Sequence, residues 1–184
     1  MKVLIACEFS GIVRNAFIER GHDAVSCDIE TSEKPGAHII GNVLDLLDDG
    51  WDMMIAHPPC TYLCNSGVRW LHEIPGRWEL MRSASKFFYE FVESSIHKIC
   101  IENPIPHKYG KLPKYSQIIQ PWLFGHNETK ATCLWLKNLP KLKPTNIVSG
   151  RQQKIHCEPP GKNRSRNRSR TYKGIAKGMA EQWG

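Results

Sequence analysis

Short apolar runs and amphipathic stretches alternate along the first 136 residues. Val3 to Cys7 is an almost unbroken apolar run, and Gly11 to Arg20 places Ile12, Val13, Ala16, Phe17 and Ile18 at helical spacing before a stop signal at Gly21. Ala24-Val25-Ser26-Cys27 predicts a second strand leading to Asp28, Ile39-Ile40-Gly41-Asn42-Val43 a third, and Met53-Met54-Ile55-Ala56 a fourth that closes at Pro58-Pro59. Arg77 to Ser95 is the clearest helix, with Leu80, Met81, Ala84, Phe87, Phe88, Phe91 and Val92 along one stripe, and Ile99-Cys100-Ile101 is the next strand. Strand and helix in alternation predict an α/β fold, a mostly parallel sheet with helices on both faces. Ligands collect beyond the carboxyl ends of the strands in such sheets. Phe9, Asp28, Asn42, Pro59, Cys60 and Glu102 are all expected there.

Composition narrows the class. A chain of 184 residues suffices for one well-cored domain, and no run approaches the roughly 18 to 20 apolar residues of a membrane span. Val3-Leu4-Ile5-Ala6 is too short for the apolar region of a signal peptide and is soon interrupted by Glu8, so a first strand of a cytoplasmic protein is expected. Seven cysteines without a regular framework predict reduced thiols.

Charge adds a partner. Of the net +7, the stretch Lys137 to Lys173 carries +10, with eleven Lys or Arg against Glu158 alone. It holds Pro140, Pro144, Pro159 and Pro160 and the near-repeat Asn163 to Arg170, which predict a loop. Two readings follow: a solvated surface insertion, or an arm whose Arg164, Arg166, Arg168 and Arg170 track successive phosphates of a nucleic acid. The chain thus divides into a core over 1–136, a basic arm or minimal recognition element over 137–170, and a segment over 171–184 that returns to the core.

The candidate chemistry sits in Ile55-Ala56-His57-Pro58-Pro59-Cys60 and Cys100-Ile101-Glu102-Asn103-Pro104. A thiolate is a strong nucleophile at neutral pH, and a carboxyl group at a neighbouring strand end can protonate what it attacks. Such a pair suits an electron-poor ring. A zinc site from His57, Cys60 and Cys64 has the wrong spacing for a nucleobase deaminase, so no metal is expected. Pro58-Pro59 also resembles the loop of amino-group methyltransferases, but that reading leaves Glu102-Asn103 without a role. Trp122-Leu123-Phe124 could stack on a base or belong to the core. Arg69-Trp70 is a candidate lid over the site.

In this order, the residues resemble the DNA cytosine-5 methyltransferases, with short phage-type members nearest. Phe9-Ser10-Gly11 is similar to the family's cofactor loop, Asp28-Ile29 to the acid and apolar residue at ribose and adenine, and Gly41-Asn42-Val43 to the adenine-reading segment. Asp52 to Cys60 resembles the proline-cysteine loop, and Ile101-Glu102-Asn103 the catalytic glutamate motif. The resemblance implies a Rossmann-like methyltransferase fold, S-adenosylmethionine as cofactor at Phe9, Ser10, Gly11, Asp28, Ile29, Asn42, Val43 and Pro59, and DNA as substrate. Cys60 would add to carbon 6 of cytosine and Glu102 would engage ring nitrogen 3, with a base flipped out of the duplex. Pro58, Asn103 and the four arginines would touch substrate. Lys130, where the family has an Arg-x-Arg element, would contact substrate or phosphate, or be a surface lysine. Cys60 should titrate below the free value of about 8.5. The small recognition region leaves open a free cytidine nucleotide or RNA as substrate, a non-catalytic nucleic-acid-binding protein, and a protein partner that supplies recognition.

Overall fold

The computed structural model describes all residues except His156, and all of their side chains except those of Ser66 and Arg69. Among the described residues, seven strands, β1 (Lys2–Ala6), β2 (Asp23–Asp28), β3 (His38–Ile40), β4 (Met53–Ala56), β5 (Lys98–Pro104), β6 (Gln117–Ile119) and β7 (Thr132–Lys137), join one sheet in the order β3-β2-β1-β4-β5-β7-β6. β1 to β5 run parallel, whereas β7 lies antiparallel to both β5 and β6. This is the expected α/β arrangement, a mostly parallel sheet with helices on both faces.

Among the described residues, five α-helices accompany the sheet: α1 (Ile12–Ile18), α2 (Asn65–Val68), α3 (Arg77–Glu93), α4 (Arg164–Ser169) and α5 (Lys173–Trp183). Side chains alternate across the pleat, so each buried strand feeds two cores. Val3, Ile5, Ile55 and Cys100 pack with Val13 and Phe17 of α1 and with Ile175, Met179 and Trp183 of α5. Leu4, Met54, Ala56 and Ile101 face the other way, toward Phe88 and Phe91 of α3. Both phenylalanines are fully buried, each side chain contributing roughly 1.5 to 3 kcal/mol of transfer free energy. Leu80, on the predicted stripe of α3, is instead exposed.

Several boundaries differ from the apolar pattern. The first helix begins only at Ile12 because Gly11 is left-handed at φ 65°. The third strand ends at Ile40, and Val43 opens a 3-10 turn whose Leu44 N–H donates to Asn42 Oδ1 at 3.2 Å. β5 runs on to Pro104 because β7 pairs with it as far as Thr132, so Glu102 lies within the strand and not beyond it. Part of the basic arm, expected as a loop, forms α4. Among the described residues, no helix is long and apolar enough to cross a membrane.

Candidate active site

Strand register assembles the centre. β4 and β5 are parallel, with Ala56 opposite Ile101, so the next residues along, His57 and Glu102, are neighbours. Their side chains turn to the α1–α5 face, opposite to Ala56 and Ile101. His57 Nδ1 and Glu102 Oε2 lie 2.6 Å apart, with both side chains about nine-tenths buried. Burial works to raise the Glu102 carboxyl, but the His57 hydrogen bond, the Lys130 charge and a hydrogen bond from Thr171 outweigh it and hold the group down at about 2. Glu102 is a carboxylate in the free protein. A role as acid requires a proton brought to it.

Asn103 points to the other face and holds the neighbouring loop. Its Nδ2 donates to the Pro58 carbonyl at 2.7 Å, which ties the Pro-Pro-Cys turn to the strand that carries Glu102. The Cys60 carbonyl accepts from Leu63 N–H and Cys64 N–H at 3.0 and 3.1 Å, so the thiol begins a helical turn. His107 N–H then donates to the Leu63 carbonyl at 2.7 Å, and Cys64 bridges to Pro106, docking the loop on the segment after β5. Half-buried Cys60 does not match its expected acidity. A hydrogen bond with the Cys64 thiol and burial push its pKa far up, and Lys130 pulls the other way without prevailing. Cys64, one helical turn on, enters the sequence reading only as a zinc ligand; here it is the partner that sets the acidity of Cys60.

The predicted cofactor residues lie at the carboxyl ends of β1 to β4. Gly11 must be glycine, because its φ is positive and a Cβ there would stand 2.6 Å from Arg14 Nη2. Ile12, Val13 and Arg14 leave the mouth open: Val13 and Arg14 are fully buried and Ile12 packs on the core. Arg14 donates to Ser26 Oγ at 3.0 Å and to the Lys34 and Pro35 carbonyls at 3.0 and 2.7 Å, bolting the loop after β2 to the core. Buried Glu8 accepts from Val13 N–H at 2.7 Å, Arg14 N–H at 3.2 Å and the Ser10 hydroxyl at 3.0 Å. The start of α1 is thereby satisfied by the chain itself. Asp28 is half-buried, its pKa raised chiefly by burial and lowered in part by backbone hydrogen bonds, Glu30 N–H donating to Oδ1 at 3.0 Å. Ile29 beside it is 82% exposed. Val43 is buried, Pro59 exposed, and Asn42 holds its turn.

The arginine repeat covers this mouth. Alternate positions in a helix fall on two faces, so Arg166 and Arg170 go one way and Arg164 and Arg168 the other. Arg170 Nη2 and Arg166 Nε donate to Glu33 Oε1 at 2.6 and 2.9 Å, and Arg166 also pairs with Glu30. The Arg166 guanidinium stacks 4.4 Å from the Phe9 ring centre. These pairs hold Glu33 at about 2. Nε of Arg164 and of Arg168 is buried without a partner. Beneath the strap lies a small cleft of about 50 Å³ between residues 7–10, His57 and residues 169–171. The acidic partners do not stand out in the sequence as members of this site, and His57 enters there only as a zinc ligand, not as a partner of Glu102.

Of the remaining candidates, Phe124 is buried in the α1–α5 core, which favours the core reading of its segment. The Arg69 side chain lies outside the described ones. Among the described residues, no three His, Cys, Asp or Glu side chains gather as metal ligands do.

No protein-family model matches the chain, and neither does any curated protein. Among solved structures, an E. coli protein described as a candidate DNA modification methyltransferase encoded within a prophage is similar over 86% of this chain and 55% of its own, with 14% identity and a TM-score of 0.49. The chain therefore spans little more than half the length of that protein. A likeness so distant says nothing about activity.

Proposed function

We propose that the chain is an S-adenosylmethionine-dependent methyltransferase acting on carbon 5 of cytosine in DNA. The observation that carries this reading is the Asn103–Pro58 hydrogen bond between adjacent strand ends, which fastens the loop bearing Cys60 to the strand bearing Glu102. The residues at the β1 and β2 ends fit the cofactor. Asp28 offers a half-buried carboxyl group to a ribose hydroxyl, Ile29 offers an exposed apolar face to adenine, and with Val13 and Arg14 turned inward the strap is what must lift from Phe9 for the cofactor to enter. When bound, the cofactor supplies an electrophilic methyl group.

The chain's own residues activate the ring. Cys60 Sγ, once deprotonated, bonds to carbon 6 while ring nitrogen 3 gains a proton at Glu102, and the electron pair passes to carbon 5 as nucleophile. After methylation, carbon 5 loses its proton to solvent, the carbon–sulfur bond breaks, the thiolate returns and nitrogen 3 gives its proton back at Glu102. Substrate entry must separate Cys60 from Cys64, and Lys130, whose charge already favours the thiolate, is the cation in place to hold it. Arg164, Arg168 and Lys162 are the strap cations left for phosphate, since Arg166 and Arg170 are paired with acids.

The test is incubation with cofactor and DNA carrying 5-fluorocytosine, which blocks release of the thiol. A covalent adduct that Cys60→Ser abolishes is expected. RNA and free nucleotide run in parallel identify the substrate, and absence of an adduct with all three would overturn the reading.

A further inference from the structure

His57 stands in the site without a part in the chemistry above. Its Nδ1 is 2.6 Å from Glu102 Oε2, its side chain is 10% exposed, and its Nε2 is buried without a protein partner. The ring lies in the wall of the cleft formed with residues 7–10 and 169–171. A histidine kept only to orient a carboxylate commonly has its second nitrogen satisfied by the protein as well. Here one nitrogen is committed to Glu102 and the other is buried without a protein partner.

We infer that His57 is a positioning residue that supplies, through Glu102, the proton that ring nitrogen 3 receives. The inference rests on the cytosine reading and gives the Glu102 carboxylate its missing proton. The imidazolium of His57 passes its Nδ1 proton to the carboxyl group as that group gives a proton to nitrogen 3 and Cys60 Sγ bonds to carbon 6. Charge balances: the thiolate and the imidazolium both become neutral, and Glu102 begins and ends as a carboxylate. On elimination, nitrogen 3 returns its proton along the same path, and the proton on carbon 5 leaves to solvent.

The groups facing His57 leave it as the donor. From the β1 end, the Cys7 thiol is held neutral chiefly by burial, and Glu8 is engaged by Ser10 and the first N–H groups of α1. From the strap, Arg170 is paired with Glu33, which raises its pKa further, and Thr171 is a hydroxyl donor to Glu102. From the catalytic loop, Cys60 and Cys64 hold each other as thiols. Lys130, from the approach to β7, is a fixed positive charge that favours the carboxylate and so opposes its protonation from bulk water. Only an imidazole changes charge readily near neutral pH.

His57→Asn is the discriminating variant, because its amide nitrogen takes the place of Nδ1 and keeps a hydrogen bond to Glu102 but cannot gain or lose a proton. Adduct formation on 5-fluorocytosine DNA is followed from about pH 5 to 9. The wild-type rate should fall on the alkaline side through one inflection. His57→Asn should lose that inflection and run roughly 10²-fold slower or worse at about pH 6, the loss typical of general acid catalysis. A variant within tenfold of wild type with the same pH profile would refute the inference while leaving the cytosine reading intact. His57→Gln serves should the asparagine variant misfold. Nitrogen NMR of His57 in the full chain is independent of activity: the imidazole should titrate across this range, and a ring neutral throughout overturns the proposal even where no adduct forms.

Discussion

The Asn103 side chain donates to the Pro58 carbonyl at 2.7 Å, and the same strand sets Glu102 against His57 at 2.6 Å. Two successive residues of β5 thus grip the end of β4 from opposite faces. The stability of this junction should depend on the ionisation of Glu102.

Glu102 titrates at about 2 in the folded chain, against an ordinary carboxyl value above 4. A depressed folded-state value contributes stability above the unfolded pKa, and that contribution is lost as pH falls toward 2. It amounts to something on the order of 2 to 3 kcal/mol. Urea unfolding between about pH 6 and 2 should show a steeper acid loss for wild type than for Glu102→Gln. Parallel curves for the two proteins would contradict the assignment.

Cys60 should be a sluggish thiol despite its place in the loop. Hydrogen bonding to Cys64 and burial suppress its thiolate, whereas Cys157 is exposed. Iodoacetamide at neutral pH should label Cys157 well before Cys60, as read by peptide mass spectrometry. Cys64→Ala should speed Cys60 labelling by about tenfold or more, the effect of one pKa unit on thiolate population.

The strap over Phe9 should open with salt. α4 has six residues, too few to hold as a helix alone, and its partners Glu30 and Glu33 are partly exposed. Trypsin should cut after Arg164 to Arg170 faster at about 0.5 M than at about 0.05 M salt. Glu33→Gln should do the same at low salt, at a global stability cost under about 1 kcal/mol. Salt-independent cleavage of wild type would rule out ionic closure.

Arg14 should matter more to stability than any surface arginine. It is fully buried and satisfies carbonyls at Lys34 and Pro35 and the Ser26 hydroxyl. Arg14→Met would strand those acceptors and should cost roughly 3 to 5 kcal/mol in chemical denaturation. A loss below about 1 kcal/mol would show that the loop after β2 holds without it.

Much of the frame was legible in the chain itself. Period-2 and period-3.6 apolar patterns locate β1, α1, β2, β4 and α3 within a few residues, because burying one stripe or one face dominates local energetics. Residues that end strands at Asp28, Pro58 and Pro59 mark where a ligand would lie. The extension of β5 past Glu102 was not legible, since it depends on pairing with β7 about thirty residues later. Arginines at alternate positions suggested an extended arm, but a helix sends them to two faces and sets half of them on Glu30 and Glu33. His57 and Glu102, 45 positions apart, meet only because Ala56 and Ile101 are in register across parallel strands. The sequence by itself determined which residues could carry chemistry; tertiary pairing decided their charge, because a carboxyl or a thiol takes its pKa from neighbours that no local pattern names.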